Sequence, residues 1–171
     1  MSKKEFVRKT TVELIELDEK INVVGLSFNK CKKTGFVELK GSMMDFELYG
    51  HFDKLDDVAE KRQPDTNFTI WANDDLFIGK WVNGDNEQDE IFSTVTIPQG
   101  KYLKVLWNAE TFDQLVGDYM GGEQEAKDAY INEHGIVFHD EYMYVEVYPQ
   151  DTINGSETEY PEAYMLTRVC T

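Results

Sequence analysis

Apolar and polar side chains alternate along several short stretches of the chain, and this pattern predicts most of its secondary structure. Residues 11–28 (TVELIELDEKINVVGLSF) contain two extended runs separated by three polar residues, DEK. The second run is apolar and rich in β-branched residues, which is typical of a buried strand. Six further strands are predicted by the same criteria, at 67–73, 77–83, 92–98, 101–108, 141–148 and 162–169.

The apolar period changes to that of a helix between about residues 42 and 62. Met44, Leu48, Phe52, Leu55 and Val58 are spaced by four, four, three and three residues, which places them on one face of a helix. Pro64, which follows, is expected to end this helix.

A second helical region is predicted over about 111–134. Thr111 and Gln114 have the spacing of a capping box at its start, and Gly135 supplies a stop at its end. The pair Gly121-Gly122 is expected to break the region into two pieces.

The order strand–helix–strand–strand therefore occurs twice, over about 11–83 and 92–169, within a single domain that spans 1–171. The acidic segment 84–90 (GDNEQDE) is the candidate boundary between the halves. Two such units predict an α+β fold with an antiparallel sheet, helices on one side and a ligand cleft on the other.

Composition narrows the classes of function. The chain has 171 residues, with 17 Lys and Arg against 33 Asp and Glu, so its formal net charge is −16. Phosphate backbones and anionic membranes repel such a chain, so neither nucleic acid nor membrane is an expected partner. The 41% hydrophobic and 13% aromatic residues are enough to build a core, which argues against a disordered chain.

The cysteines and the absence of known targeting and catalytic motifs narrow the classes of function further. Cys31 and Cys170 have no C-x-x-C spacing, the N-terminus lacks a signal-peptide core, and no apolar stretch is long enough to span a membrane. The chain is therefore expected to be cytoplasmic with free thiols. Because no nucleotide, nucleophile-elbow or metal-binding motif is present, no cofactor and no metal site is expected. The three histidines, His51, His134 and His139, are expected to be structural.

The strand 142–148 (YMYVEVY) is the segment with the most chemical information. Alternate side chains of a strand share a face, so Met143, Val145 and Val147 form a core face that is predicted to lie under the helices. Tyr142, Tyr144, Glu146 and Tyr148 form the other face. A carboxylate among aromatic rings attracts organic cations through its charge and the ring quadrupoles. Burial would also raise its pKa, which suits acid–base catalysis.

A plainer interpretation stays open for this strand. Under it, the polar face is an ordinary exposed sheet surface, and Glu146 is paired to a basic residue such as Lys80, Lys104 or Arg168. Other aromatic side chains are candidates for the wall of a pocket, although each is more often part of a core: Phe28, Trp71, Trp81, Tyr102, Trp107 and Tyr164.

Several short segments together resemble the GyrI-like effector-binding domain, a family found in bacterial multidrug-sensing regulators, gyrase inhibitory proteins and stand-alone cation-binding proteins. The segments lie in the same order as in the family and span nearly the whole chain: Val23-Val24-Gly25-Leu26, Leu48-Tyr49-Gly50-His51-Phe52, Thr96-Ile97-Pro98-Gln99-Gly100-Lys101-Tyr102, Val145-Glu146-Val147-Tyr148-Pro149 and residues 162–169.

The resemblance implies two strand–helix–strand–strand units with a ligand cleft between them. It also implies that Glu146, which matches a glutamate of the penultimate strand in the family, meets a cationic aromatic ligand at the cleft floor. Tyr102 and Tyr144 are the aromatic positions that the alignment supports. Regulators of the family carry a helix-turn-helix domain, for which this chain has no room, so direct transcriptional control is not expected.

Three functions follow as hypotheses. The first is a stand-alone protein that binds a lipophilic cationic small molecule through Glu146, Tyr144, Tyr102, Tyr142, Tyr148, Trp107, Trp71 and Phe28. The second, implied by some branches of the family, is a hydrolase of strained, cyclopropane-bearing compounds that uses Glu146 with Tyr144 or Tyr102. The third is an acidic protein-interaction module such as a gyrase inhibitor, whose protein partner stays unidentified.

Overall fold

The computed structural model describes residues 5–29, 66–82, 92–111, 114–115, 120–149 and 160–170. Within these ranges the chain forms antiparallel strands and a long helix, which confirms the predicted α+β class. The predicted helix at 42–62 and the acidic segment 84–90 lie outside the described residues. The elements are β1 (Thr10–Leu17), β2 (Ile21–Ser27), β3 (Thr66–Ala72), β4 (Asp75–Trp81), β5 (Ser93–Ile97), β6 (Gly100–Asn108), α1 (Met120–His134), β7 (Met143–Pro149) and β8 (Glu162–Arg168).

The chain divides into two compact units. The first unit comprises Met1–Leu17 and Gly100–Thr171, and the second comprises Asp18–Gln99. Strand β1, which lies in the predicted first half, pairs with β6 and belongs to the first unit together with most of the predicted second half. Strand β5, which lies in the predicted second half, pairs with β2 and belongs to the second unit. The units thus differ in their bounds from the predicted halves 11–83 and 92–169, and the internal repeat stays a prediction about element order.

Among the described residues of the first unit, four antiparallel strands lie in the order β1-β6-β8-β7. Their register aligns side chains of neighbouring strands in rows that run across the sheet. We call the face that contains Glu146 the helix face, because α1 contacts it. One row runs from Glu146 to Met165 on β8, Val105 on β6 and Val12 on β1. Tyr144 and Tyr148 lie on either side of Glu146 on the same strand, two residues away in each direction.

Helix α1 contacts this face from above. Gln124 donates a hydrogen bond to the Met165 sulfur at 3.9 Å, and Glu123 accepts one from the Thr10 hydroxyl at 3.2 Å. Gly135 follows the helix with a φ of 63°, and the Ile136 amide donates to the Ile131 carbonyl. This is the C-terminal stop that the sequence predicted.

Half of the predicted capping box forms, although it does not begin α1: Thr111 caps the Gln114 amide, whereas Gln114 Oε1 has no hydrogen-bond partner among the described residues. The Thr111 hydroxyl accepts a hydrogen bond from the Gln114 amide at 3.3 Å, and the Leu115 amide donates to the Thr111 carbonyl at 3.0 Å. Helix α1 itself begins at Met120, so Gly121 and Gly122 lie in its first turn.

The opposite face of the first sheet is also apolar. It contains Val145 and Val147 of β7, both fully buried, with Met143 nearly so, and the predicted burial of these three side chains is confirmed. Leu166 of β8 lies directly beside Val145. The structure differs from expectation in the position of the helix, because α1 lies on the face of Glu146 and not on the face of Val145.

In the second unit, the antiparallel strands follow the order β3-β4-β2-β5. Strands β3 and β4 form a hairpin whose turn is Asn73-Asp74, both with positive φ. This two-residue turn matches the right-handed twist of the strands, and it precedes the predicted turn at 74–76 by one residue. Gly25 of β2 and Gly79 of β4 lie opposite each other, where the two backbones approach closely.

No helix within the described ranges has both the length and the apolar character needed to cross a lipid bilayer.

Candidate functional site

The helix face of the first unit contains the carboxylate that the strand pattern singled out. Glu146 is 8% exposed. Each of its two carboxylate oxygens accepts a hydrogen bond from a tyrosine hydroxyl. The Tyr144 hydroxyl donates to Oε1 at 3.0 Å, and the Tyr148 hydroxyl donates to Oε2 at 2.8 Å. The period of two along β7 produces this arrangement, because it places both tyrosines on the side of the sheet where the glutamate lies.

Burial and hydrogen bonding act on this carboxyl in opposite directions. Burial raises the pKa of Glu146, and the hydrogen bonds from Tyr148 and Tyr144 lower it in part. Burial also raises the pKa of Tyr144 and of Tyr148, and the negative charge of Glu146 raises both further. The two hydroxyls therefore stay protonated and act as donors, while the carboxylate lacks the hydration that it would have in water.

The basic residues that would neutralise Glu146 under the plainer interpretation lie elsewhere. Arg168 forms an ion pair with Glu141 at 3.2 Å, and the Lys104 Nζ lies 4.6 Å from the ring centre of Tyr164. Both strands place these side chains on the face opposite Glu146. Lys80 is a buried residue of the second unit. In the part of the chain that the structure describes, Glu146 forms no ion pair.

Trp107 and Tyr142 lie on the same face as Glu146, at opposite ends of the row of tyrosines. Trp107 is fully buried, and its indole N–H donates to the Leu115 carbonyl at 2.8 Å. Its ring meets that of Tyr148 edge to face, with centroids 6.3 Å apart. Tyr142 is 48% exposed and packs edge to face against Phe138. The group of Tyr142, Tyr144 and Tyr148 is therefore buried at its Tyr148 end, where Trp107 packs, and exposed at its Tyr142 end.

Tyr102 is not brought to Glu146. It lies opposite Arg168, on the other face of the sheet, and is fully buried. Burial raises the pKa of Tyr102 to about 12, an effect that the positive charge of Arg168 reduces. Phe28 and Trp71 belong to the second unit, where both are half-buried.

Two buried polar atoms share a strand face with Trp71. Among the residues that the structure describes, neither Asn67 Oδ1 nor Thr69 Oγ1, both on β3, has a hydrogen-bond partner. Alternation along the strand places the three side chains on the same side of the second sheet. Most buried polar atoms in proteins are hydrogen-bonded, so this pair is a second, weaker candidate for a polar contact with a ligand.

Sequence reasoning missed the contribution of α1. Lys127 and Glu123 both lie on its buried side, at 5% and 0% exposure. Glu123 forms an ion pair with Arg8 at 2.9 Å, and the Lys127 Nζ lies over the Tyr144 ring. The composition MGGEQEAKDAYINEH is typical of a solvated helix, so the sequence contains no signal that these charges would be buried. Within the described ranges, no three His, Cys, Asp or Glu side chains converge in a way that could hold a metal ion.

Comparisons with known proteins place this geometry in context. No family model and no curated protein matches the chain in sequence. Among solved structures, it is similar to SAV2435 bound to tetraphenylphosphonium, with a TM-score of 0.58, 14% identity and 94% of each chain covered. It is also similar to a candidate transcription regulation protein from Staphylococcus aureus MU50, with a TM-score of 0.56, 12% identity and coverage of 95% and 99%.

A third similar structure is the EcmrR–DNA complex, with a TM-score of 0.59 and 12% identity; the match covers 95% of this chain and 57% of the other. At such low identities these likenesses show the fold. They confirm, at the level of the fold, the resemblance to the GyrI-like effector-binding domain.

Proposed function

We propose that this chain binds a lipophilic aromatic cation, with Glu146 as the counter-charge. One observation supports this most: a buried carboxylate that accepts two tyrosine hydroxyls and, among the described residues, has no cationic partner. A buried anion without a counter-charge is costly, and a ligand cation would remove that cost. SAV2435, which shares the fold, is bound to tetraphenylphosphonium, a ligand of this chemical class.

The aromatic side chains suit such a ligand. Tyr144, which bonds Glu146, and the exposed Tyr142, two residues earlier in the chain, supply aromatic rings near this carboxylate. Each cation–ring contact contributes about 0.5–2 kcal/mol, more when water is excluded. Glu146 thus supplies the charge, and the rings supply apolar area and a preference for delocalised cations over hydrated metal ions.

The hydrolase hypothesis has less support in this geometry. A pairing of Glu146 with Tyr102 would require groups on opposite faces of one sheet to act on the same substrate. Tyr144 is close enough to Glu146, but its hydroxyl already donates to the carboxylate, and its raised pKa makes it a poor nucleophile at neutral pH. The protein-interaction hypothesis rests on the net charge of −16, which specifies no surface.

The Glu146→Gln variant tests the proposal, because it keeps the shape of the side chain and removes its charge. We expect the variant to bind tetraphenylphosphonium about 10- to 100-fold more weakly than the wild type, where each factor of ten corresponds to about 1.4 kcal/mol. Triphenylphosphine oxide, a neutral aromatic analogue, should lose little affinity. Both titrations can follow intrinsic tryptophan fluorescence.

The matched control is Glu141→Gln, which removes an exposed carboxylate that pairs with Arg168. It should leave both affinities unchanged. Equal losses for the cation and the neutral compound in Glu146→Gln would indicate damaged packing, and no loss for either would place Glu146 outside the site. Absence of tetraphenylphosphonium binding to the wild type would refute the proposed function.

A further inference from the structure

Lys127, on the buried side of α1, is a cation that the proposed role of Glu146 does not use. Its Nζ lies 5.0 Å from the ring centre of Tyr144 and 5.8 Å from that of Phe138. Across the described residues, this ammonium group forms no ion pair and no hydrogen bond. Ring faces replace only part of the hydration that the group loses on burial, and no anion among the described residues replaces the rest.

The neighbouring carboxylates do not supply that partner. Glu123, one helical turn earlier, is bonded to Arg8 and Thr10 on the side of β1. Burial lowers the pKa of Lys127, and the charge of Asp128 opposes this effect only in part. Lys127 thus resembles Glu146 in its electrostatics: burial disfavours the charged form of the side chain, and an added counter-charge would stabilise that form.

Tyr144 lies between the two charges and contacts both. Its ring receives the Lys127 ammonium group, and its hydroxyl donates to Glu146 at 3.0 Å. A positive and a negative side chain therefore contact the same tyrosine, and among the described residues they form no ion pair with each other. A molecule that carries two opposite charges on an aromatic body could therefore supply a counter-charge to each of them.

The exposed end of the tyrosine row lies next to Lys127. Phe138, which contacts the lysine, is 41% exposed, and its ring packs on Tyr142, which is 48% exposed. Along β7 the exposure then falls from Tyr142 through the half-buried Tyr144 to Glu146. A ligand that enters over the Phe138–Tyr142 pair would meet Lys127 before its far end reached Glu146.

We propose that the ligand of this face is an aromatic zwitterion, whose cationic group pairs with Glu146 and whose carboxylate or phenolate pairs with Lys127. This inference rests on the proposed function of Glu146 and adds a second, anionic requirement to it. Lys127 then acts as a specificity determinant. It strengthens the binding of a ligand that has an acidic group, and it weakens the binding of a ligand that carries positive charge alone, because like charges repel in a poorly hydrated site.

Rhodamine B and its ethyl ester provide a matched pair of probes. The free acid is a zwitterion at neutral pH, and the ester keeps the aromatic cation but has no carboxylate. We expect the wild type to bind the acid about tenfold more tightly than the ester, measured by fluorescence anisotropy. Lys127→Met should weaken binding of the acid about tenfold and leave the ester unchanged or tighter.

Two further variants separate charge from packing. Lys127→Arg keeps the positive charge and should keep the preference for the acid. Lys104→Met removes another lysine that lies over a tyrosine ring, on the opposite face of the same sheet, and should change neither affinity. Circular dichroism checks that each variant is folded.

The outcomes distinguish this inference from the proposed function. Equal or tighter binding of the ester by the wild type, together with its weakening by Glu146→Gln, would overturn the zwitterion inference and leave the cation-binding proposal standing. An acid preference that survives Lys127→Met would likewise overturn it. Failure of both dyes and of tetraphenylphosphonium to bind would overturn both proposals.

Discussion

Glu146 shows how the surroundings of one residue set its chemistry. An ordinary surface glutamate is hydrated and charged, but here burial raises the pKa of the carboxyl and two tyrosine hydroxyls compensate only in part. Hydroxyl donors stabilise the charged form through dipoles, which are weaker partners than a full positive charge. The residue therefore gains more from a cationic ligand than a solvated carboxylate would.

The titration of Glu146 should be visible in protein stability. Its pKa is raised above the ordinary value of 4.5, so the folded state binds this proton more tightly than the unfolded chain does. Its favourable contribution is therefore complete below about pH 4.5 and is lost as the pH rises through the raised pKa. Since glutamine does not titrate, the free energy of unfolding of Glu146→Gln should increase relative to the wild type over that window.

Urea unfolding at a series of pH values measures this difference. Glu125→Gln, at an exposed position on α1, is the control for removing a carboxylate elsewhere in the same unit. A difference between Glu146→Gln and wild type that stays flat from acid to neutral pH would contradict the argument that burial dominates at this carboxyl.

At the scale of elements, strand pairing depends on a close approach in the second unit. Gly25 and Gly79 face each other across β2 and β4, and a Cβ on either would overlap the backbone of the partner strand at Ile78 or Val24. Glycine is needed here for close approach, since no positive φ occurs at either position. The β2–β4 pair is thus more sensitive to side-chain size than its apolar sequence suggests.

We expect Gly79→Ala to lower the free energy of unfolding by about 1–3 kcal/mol, because the backbones must separate to admit the methyl group. Ser93→Ala, on the half-exposed strand β5 opposite Gly25, should change stability by no more than about 0.5 kcal/mol. Thermal or urea unfolding provides the comparison. Similar stability of Gly79→Ala and Ser93→Ala would show that the strands accommodate the extra group.

At the scale of the whole molecule, the formal net charge of −16 acts on any charged ligand before it arrives. A strongly negative protein raises the local concentration of cations and speeds their association. Salt screens this long-range attraction, with a Debye length of about 10 Å at 0.1 M, but screens a buried contact much less. The charge of the molecule and the charge of Glu146 should therefore respond differently to salt.

We expect the association rate of tetraphenylphosphonium to fall several-fold when salt rises from about 0.01 to about 0.5 M. The ratio of wild-type to Glu146→Gln affinities should change by less than about twofold over the same range, because that contact is buried. Stopped-flow fluorescence and equilibrium titrations at each salt concentration measure the two quantities. A ratio that collapses with salt would mean that Glu146 attracts the ligand from the surface.

Local patterns were sufficient for several of the described features that depend on neighbouring residues. The alternation in YMYVEVY predicted that Glu146 shares a face with its tyrosines, because a strand has a period of two whatever it packs against. The Thr111 cap and the Gly135 stop likewise follow from short-range hydrogen bonding and backbone sterics. These features were predictable because their causes lie within a few residues of the chain.

The tertiary structure decided the features that depend on distant pairing. The register of β6 and β8 places Tyr102 on the face opposite Glu146, and a shift of one residue would have brought it to the same side. Strands β1 and β5 belong to different units from those that the predicted halves suggest, because β1 pairs with β6 and β5 pairs with β2. The local composition of a strand does not indicate its partner. Lys127 contacts Tyr144 only because α1 packs on that face, and no periodicity within a mostly polar helix indicates which of its charges will be buried.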